Sequence, residues 1–142
     1  DKDDQRSESY PESKKLMKTP VSTESAPSAI GPYSQGIKNQ GILYISGQIG
    51  IIPGDTAIVH RRISEQTDQV FANIMAILSE ANASLDDILK LNIYLTDLAN
   101  FDLVNKKMEQ LFKPPYPARA TVEVSCLPKG AIVEIDAIAK YD

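Results

Sequence analysis

An arginine and a glutamate in the last third of the sequence have the surroundings that most favour chemistry. Arg119 follows the segment Pro-Pro-Tyr-Pro-Ala, whose prolines restrict the backbone, so we expect a guanidinium aimed from a strand end, which suits a carboxylate. Glu134 lies in Val-Glu-Ile-Asp, an otherwise apolar strand, where an acid is costly unless it is paired or used. Asp136 follows two residues later on the same face. The ordinary alternatives are a surface arginine paired with an acid and a sheet-face carboxylate paired with a lysine or arginine.

Three polar positions earlier in the chain could line a small-ligand site. Tyr33 lies in the turn-rich segment Ile-Gly-Pro-Tyr-Ser-Gln-Gly, and its phenol could donate to a substrate. The pair Ser46-Gly47 lies at the end of a predicted strand, where the glycine allows a close backbone approach. Asn105 falls early in a predicted helix, between apolar positions. Each also has a purely structural interpretation as a packed tyrosine, a strand end or an asparagine bonded to a loop.

Composition and missing motifs limit the chemistry. The 142 residues suffice for about one domain, and a formal net charge of −4 gives no basic footprint for phosphate backbones, so nucleic acid is disfavoured. A single cysteine, Cys126, and a single histidine, His60, disfavour metal and redox chemistry. Dinucleotide, phosphate-loop and nucleophile-elbow motifs are absent, so any catalysis would use polar side chains without a cofactor.

Apolar runs in the sequence extend over only a few residues, far below the ~20 needed to cross a bilayer. No membrane span is therefore predicted. The single cysteine fits a reducing compartment. We predict a cytoplasmic location, with a mitochondrial or other organelle matrix as the alternative.

Hydrophobic periodicity predicts the elements that position the first candidates. Residues 33–38 and 42–49 alternate around the turn Asn39-Gln40-Gly41, which indicates a hairpin. Residues 64–83 carry one apolar stripe at helical spacing, with Ser64 as the expected N-cap. Residues 1–29 are rich in charge, serine and proline, and predict a mobile tail. We therefore expect a flexible extension over residues 1–25 and one domain over residues 26–142.

The second half of the chain is predicted to contain a strand, a helix and a hairpin. Residues 88–96 alternate as a strand, and residues 100–112 form a helix that the following prolines end. Residues 119–125 and 131–140 alternate around Leu-Pro-Lys-Gly, which predicts a second hairpin. If Cys126 opposes Ala131 in this hairpin, Glu123 opposes Glu134, and the backbones of Arg119 and Glu134 lie roughly 13 Å apart. A long arginine reach, or a site completed by another chain, would then bring both to one ligand.

An α+β fold follows, with both helices on one face of the sheet. The helix-facing side would take Leu89, Leu91, Ile93, Leu95, Val122 and Val124. The opposite side would carry Arg119, Thr121, Glu123, Lys90, Asn92 and Tyr94, together with Ile42, Tyr44, Ile132 and Ile138. This mixed face is predicted to associate with other copies of the chain, and a solvated face is the alternative.

These segments closely resemble the reactive intermediate deaminase family, the RidA or YjgF group. The matching stretches run in unbroken order through residues 26–140: IGPYSQG (30–36), ISGQIG (45–50), FDLVNKKMEQLF (101–112), PARATVEV (117–124) and LPKGAIVEIDAIA (127–139). The resemblance implies a chorismate-mutase-like α+β fold and a homotrimer with three pockets between subunits. It also implies the reaction of a 2-iminobutanoate/2-iminopropanoate deaminase, which hydrolyses enamines and imines to 2-oxo acids and ammonia without a cofactor or metal.

The resemblance also implies roles for single residues. Arg119 would hold the substrate carboxylate, and Glu134 would position or activate the attacking water. Tyr33, Ser46, Gly47 and Asn105 match other pocket positions, with Tyr33 contributed across the interface. Many members have cysteine where this chain has Thr121. The family's backbone contact at Thr121 needs no sulfur.

Two other function classes stay open. Some family members are described as ribonucleases or translation inhibitors, although the acidic charge balance and the single histidine count against RNA cleavage. A regulatory trimer that binds small 2-oxo or amino acids without turnover is the third possibility.

Overall fold

A mixed sheet carries two helices in the computed structural model, which describes residues 17–142. The strands are β1 (Thr19–Val21), β2 (Gly36–Asn39), β3 (Ile42–Gln48), β4 (Ile88–Leu95), β5 (Ala118–Glu123) and β6 (Val133–Lys140), and the helices are α1 (Ile63–Glu80) and α2 (Phe101–Leu111). The six strands are ordered β1-β2-β3-β6-β4-β5. β4 and β5 run parallel, and the other neighbouring pairs are antiparallel. The predicted α+β class is confirmed.

The core lies between the two helices and one face of the sheet. The apolar stripe of α1 is fully buried, and alternate residues of β4 and β6 face it. Phe71 of α1 and Phe112 after α2 meet edge to face, with ring centroids 6.1 Å apart. Burying a large aliphatic or aromatic side chain contributes about 1.5–3 kcal/mol, so this stripe fixes α1 on the sheet. Both helices lie on one face, as predicted.

The first hairpin and both helices predicted from local patterns form. β2 and β3 form the first hairpin, with Asn39 opposite Ile42 and left-handed backbone at Gln40 and Gly41 in the turn. Both predicted helices form, although α1 begins at Ile63. Its N-cap is Arg62, so the prediction of Ser64 was wrong by two residues.

One residue of β4 faces the wrong way relative to the alternation. The pairing of β4 with β6 shifts register between Ile88 and Lys90, so Ile88 is buried and Leu89 is exposed. A bulge of this kind reverses the alternation locally. The prediction that Leu89 faces the helices was therefore wrong, whereas Leu91 and the later alternating residues are buried as expected.

The predicted C-terminal hairpin does not form. β6 pairs with β3 and β4, and β5 pairs in parallel with the far side of β4, so β4 lies between the two strands of the supposed hairpin. In this register Arg119 lies beside Leu91 and Thr121 beside Ile93, on the helix side of the sheet. The predicted placement of Arg119, Thr121 and Glu123 on the open face was wrong. Val122 takes that face instead.

A short strand was missed near the N-terminus. β1 pairs with β2 at the edge of the sheet, and Val21 and Ala26 are buried in the core. The tail predicted over residues 1–29 thus contains packed structure from β1 onward. The rest of the predicted extension, residues 1–16, lies outside the described residues.

The face opposite the helices is uncovered in the single chain. It carries Tyr44, Tyr94, Val122 and Ile138, and Tyr44 and Val122 are about half exposed, at 49% and 47%. Tyr44 and Ile138 are paired there as predicted, whereas Ile132 precedes β6 and lies outside the strand. Within residues 17–142, no helix is long and apolar enough to cross a membrane. The cytoplasmic location stays a prediction.

Candidate active site

A cleft of about 630 Å³ lies beside the junction of β3 and β6. Four of the predicted site residues line it: Tyr33, Ser46, Gly47 and Glu134. We refer to these four as the cleft group. They come from three segments that are far apart in sequence, and the pairing of β3 with β6 brings them together. The cleft group therefore combines one carboxylic acid with hydroxyl and backbone hydrogen-bonding groups.

Gly47 allows β3 to approach Glu134 closely. A β-carbon at Gly47 would lie 2.9 Å from Glu134 Oε2 and 3.0 Å from its Cδ. The register of β3 on β6 shifts between Ile45 and Gln48, an irregularity common beside active sites. A side chain at Gly47 would thus displace the carboxyl of Glu134.

Ser46 connects β3 to the segment that carries Tyr33. The Ser46 backbone N–H donates to the Gln35 carbonyl at 3.0 Å, and its hydroxyl donates to the Ser34 carbonyl at 2.5 Å. Because the hydroxyl proton is already used, the Ser46 oxygen can act towards a ligand only as an acceptor. Tyr33 is half exposed at the cleft, with its phenol available as a donor or acceptor.

One wall of the cleft is held by the buried side chain of Gln35. Its amide nitrogen donates to the carbonyls of Thr23, Ala26 and Pro27, and its oxygen accepts the Thr23 N–H at 2.7 Å. Pro27 lines the cleft. The polar side chain of Gln35 is fully used and pins the segment after β1 against the site.

The electrostatics of the cleft centre on Glu134, which is half buried on β6. Burial raises the pKa of its carboxyl, and the negative charge of Asp136 raises it further. Asp136 is held from β4, because Asn92 Nδ2 donates to its Oδ1 at 2.8 Å and the Tyr94 hydroxyl donates to its Oδ2 at 3.0 Å. Burial and this bond to Asp136 also raise the pKa of Tyr94. Glu134 can therefore hold a proton at higher pH than a free glutamate, as a general acid requires.

Two loop residues that sequence analysis passed over also line the cleft. Lys129 Nζ donates to the Thr56 carbonyl at 2.7 Å, and Asp55, the residue before Thr56, also lines the cleft. Lys129 has a left-handed backbone, with φ 58°. The Leu-Pro-Lys-Gly segment, read from sequence as a hairpin turn, thus forms part of the rim of the cleft.

The other three predicted site residues, Asn105, Arg119 and Thr121, lie together on the opposite edge of the sheet. We call these three the edge group. Arg119 Nη1 donates to Asn105 Oδ1 and approaches Met108 Sδ at 3.5 Å. Its guanidinium lies 5.0 Å from the centre of the Phe101 ring, a cation–π contact. The side chain is therefore laid against α2, as its exposed position on an edge strand allows.

Thr121 follows Arg119 by two residues on the same side of β5. Its hydroxyl oxygen is buried and has no hydrogen-bond partner among the described residues. A buried hydroxyl without a partner costs free energy, and such a group is common where a ligand or a second chain supplies the missing bond. The edge group thus offers one fixed cation and one unsatisfied hydroxyl.

The two groups do not meet within one chain. Arg119 lies level with Leu91 and Glu134 lies level with Tyr94, three residues along β4 and two strands across the sheet. At about 3.3 Å per residue and 4.8 Å per strand, the offset is roughly 10 Å in each direction, and the side chains leave opposite faces. The prediction that both point from the open face of one sheet was wrong, because it rested on the hairpin that does not form.

The residues that hold Asp136 beside Glu134 were not identified from the sequence. Asn92 and Tyr94 were placed on the open face, but nothing in their spacing indicated that both bind Asp136. Cys126 and His60 are exposed. No cluster of three or more histidine, cysteine or acidic side chains suited to a metal occurs in residues 17–142.

Comparisons with known proteins each match most of this chain. The family model described as Endoribonuclease L-PSP matches residues 23–141. A RutC family protein of Pyrococcus abyssi is 47% identical over 124 residues, which are 87% of this chain and 98% of that protein. The human 2-iminobutanoate/2-iminopropanoate deaminase is 40% identical over 124 residues, 87% of this chain and 90% of the human protein. Among solved structures, the Rid family protein YyfA of Yersinia pestis has a TM-score of 0.85 and 50% identity, covering 87% and 99% of the two chains.

Proposed function

We propose that this chain, which belongs to the Rid family of reactive intermediate deaminases, hydrolyses small 2-imino acids and their enamine tautomers. The products would be a 2-oxo acid and ammonia. The observation that carries the proposal is a half-buried carboxyl with a raised pKa, Glu134, facing a cleft beside hydrogen-bonding groups. The human relative that is 40% identical carries the name of this activity for 2-iminobutanoate and 2-iminopropanoate, and we extend that substrate class to this chain.

The carboxylate of the substrate needs a cation, and the edge group supplies one. Arg119 is a fixed, permanently charged donor that can form two parallel bonds to a carboxylate. Its bond to Asn105 and its contact with the Phe101 ring orient the guanidinium before the ligand arrives. The Thr121 hydroxyl, which lacks a hydrogen-bond partner among the described residues, would form a hydrogen bond with the same ligand or with the neighbouring chain.

Hydrolysis of the imine needs a water molecule and a proton donor, and the cleft group supplies the proton donor. The water oxygen forms a bond to the imine carbon while the π electrons of the C=N bond move to nitrogen, which takes up a proton. The nitrogen then takes up a second proton and the C–N bond breaks, so that ammonia leaves with the electron pair, and the hydroxyl proton released as the carbonyl of the 2-oxo acid forms balances the proton that the nitrogen took up. Glu134 would take a proton from the water and return it to the departing nitrogen, help that is typically worth about 10²–10⁴ in rate.

The separation of the two groups leads to a proposal about assembly. Arg119 and Glu134 face opposite sides of one sheet, so a single chain cannot present both to a small imino acid. We propose a homotrimer of chorismate-mutase-like architecture in which the edge group of one copy closes the cleft group of the next. The uncovered sheet face, with half-exposed Tyr44 and Val122, supports association through that face.

The test is product release from freshly generated imines. A pyridoxal-phosphate dehydratase that forms 2-aminoacrylate is coupled to a 2-oxo acid or ammonia assay, with and without this protein. We expect faster release with the protein than by spontaneous hydrolysis. Release at the spontaneous rate, accompanied by binding of 2-oxo acids, would instead identify a non-catalytic regulatory protein.

An endoribonuclease is the second candidate, because the matched family model carries that description. The net charge of −4 and the single, exposed His60 offer little of the cationic surface and acid–base pair that phosphodiester cleavage uses. RNA incubated with highly purified protein should stay intact. Cleavage that disappears in an Arg119→Ala variant would favour the ribonuclease over the deaminase.

A further inference from the structure

Asp136 lies beside Glu134 on β6 and has no part in the reaction proposed above. The two residues are two positions apart on the same face of the strand, so their backbones lie roughly 7 Å apart at about 3.3 Å per residue. Both oxygens of Asp136 accept hydrogen bonds from β4, one from Asn92 and one from Tyr94. Two such donors fix the direction of the Asp136 carboxyl. A held negative charge therefore stands next to the acid of the cleft.

We infer that Asp136 is a positioning residue for the proposed deamination, and that its anchored charge favours the protonated form of Glu134. The inference rests on the proposed function for its consequence in catalysis, but the coupling of the two carboxyl groups can be measured without turnover. It assigns a purpose to the Asn92–Asp136–Tyr94 cluster, which would otherwise only link β4 to β6. Glu134 would then be a stronger base towards the attacking water, whose proton it passes to the departing nitrogen.

Other ionisable groups face Glu134 and must be weighed beside Asp136. On the open face and around the cleft these are Tyr33, Tyr44, Asp55, Lys90, Tyr94, Lys129 and Lys140, and in the proposed trimer Arg119 of the next copy joins them in the parent and in the Asp136 variants alike. The ammonium of Lys129 is bonded to the Thr56 carbonyl, and Lys90 and Lys140 lie level with Ile138 and Ile42, further from Glu134 than Asp136. Asp136 is thus the nearest anchored charge to Glu134 along the sheet.

The electrostatics agree with this geometry. Burial is the larger cause of the raised pKa of Glu134, and the charge of Asp136 is the second. The tyrosine that bonds Asp136 has a raised pKa as well, because burial and the neighbouring acids oppose a phenolate there. Removing the charge of Asp136 should lower the pKa of Glu134 without removing the effect of burial.

The experiment compares Asp136→Asn with Asp136→Glu. The asparagine keeps the shape of the side chain and removes its charge, whereas the glutamate keeps the charge and alters the packing. The Glu134 carboxyl is titrated by NMR in protein labelled with ¹³C at glutamate carboxyls, and the resonance is assigned by its loss in Glu134→Gln. We expect the titration midpoint of Glu134 to move to lower pH in Asp136→Asn and to stay near that of the parent in Asp136→Glu.

A pH profile of kcat/KM supplies the catalytic readout. The limb that Glu134→Gln removes should move to lower pH in Asp136→Asn, with thermal stability and assembly state recorded for each variant. An unchanged Glu134 midpoint in a folded Asp136→Asn variant would overturn the inference, as would an equal shift in Asp136→Glu. If the parent showed no imine hydrolysis, the proposed function would fail while the NMR titration still decided the coupling.

Discussion

The cleft group and the edge group lie in regions of opposite character. The cleft group sits at the junction of two central strands, where burial and a neighbouring acid disfavour the charged form of Glu134. The edge group sits on the last strand of the sheet, where Arg119 is exposed and rests on α2. The central region raises the pKa of an acid, and the edge of the sheet carries a permanent cation that a second chain can contact. Under the proposed function, each group supplies only one of the two parts that binding and hydrolysis of an imino acid need.

This comparison shows that residues predicted from sequence to form one site can lie in two separate places in the folded chain. Each of the seven predicted site residues belongs to the cleft group or to the edge group, and the members of each group lie together. The two groups are also expected to contribute to different steps, one to ligand binding and the other to turnover. Truncating the edge group should cost ligand binding, and altering the cleft group should cost turnover.

Arg119→Ala should give the largest loss. It removes the proposed cation for the substrate carboxylate, and loss of a bonded charge partner costs about 2–5 kcal/mol, so we expect kcat/KM to fall by about a thousandfold. The free energy of unfolding should change by less than about 1 kcal/mol, because the side chain is exposed. The coupled dehydratase assay and chemical denaturation measure the two effects.

Arg61→Ala is the matched control for that prediction. Arg61 is an exposed arginine in the loop before α1 and belongs to neither group. We expect parental activity from it. Activity of Arg119→Ala within about twofold of the parent would remove Arg119 from the site.

Glu134→Gln should lower kcat by about a hundredfold, the lower end of what general acid–base help provides, with little change in binding of a 2-oxo acid. Glu109→Gln, an exposed acid on α2, serves as the control. Isothermal titration with a 2-oxo acid separates binding from turnover. Unchanged turnover would show that another group moves the proton.

Glu134 also gives a prediction for stability with a defined sign. Its pKa is raised in the folded state, so the folded chain binds this proton more tightly than the unfolded chain. Stability is therefore lost as pH rises from the unfolded-state pKa through the folded-state pKa. Above that window Glu134→Gln should be at least as stable as the parent, and denaturation at several pH values measures this. A less stable variant there would contradict the desolvation of Glu134.

Gly47→Ala should have a smaller effect. The added methyl would meet the carboxyl end of Glu134, which can move aside, so we expect a folded protein with kcat/KM reduced about tenfold. In the Glu134→Gln background the same substitution should cost less, because the displaced group no longer acts. Equal costs in both backgrounds in a double-mutant cycle would show that Gly47 acts independently of Glu134.

Elements whose signals are local were predictable from the sequence. The Asn39–Gly41 turn and the apolar stripe of α1 depend on neighbouring residues, and both predictions are confirmed. The C-terminal hairpin was wrong because strand adjacency in sequence does not fix adjacency in the sheet. β5 instead returns through α2 to lie parallel to β4, as a β-α-β connection requires. An edge strand with little burial also gives no signal of which face it turns inward.

The site was predictable by residue type but not by arrangement. Tyr33, Ser46, Gly47 and Glu134 converge because β3 and β6 pair, and that pairing joins segments about 90 residues apart, which no local pattern reports. Asn92 and Tyr94 look like ordinary outward residues of an alternating strand. Their bonds to Asp136 depend on the register of β4 on β6, which is set by the whole sheet.

The most direct test of the account mixes two inactive variants. Arg119→Ala and Glu134→Gln chains are unfolded together in equal amounts, refolded and assayed, with mixed assemblies verified by mass. If the edge group of one copy completes the cleft group of the next, about a quarter of the interfaces in a random mixture are intact, and about a quarter of parental activity returns. Mixed assemblies with no more activity than the separate variants would contradict a site shared between copies.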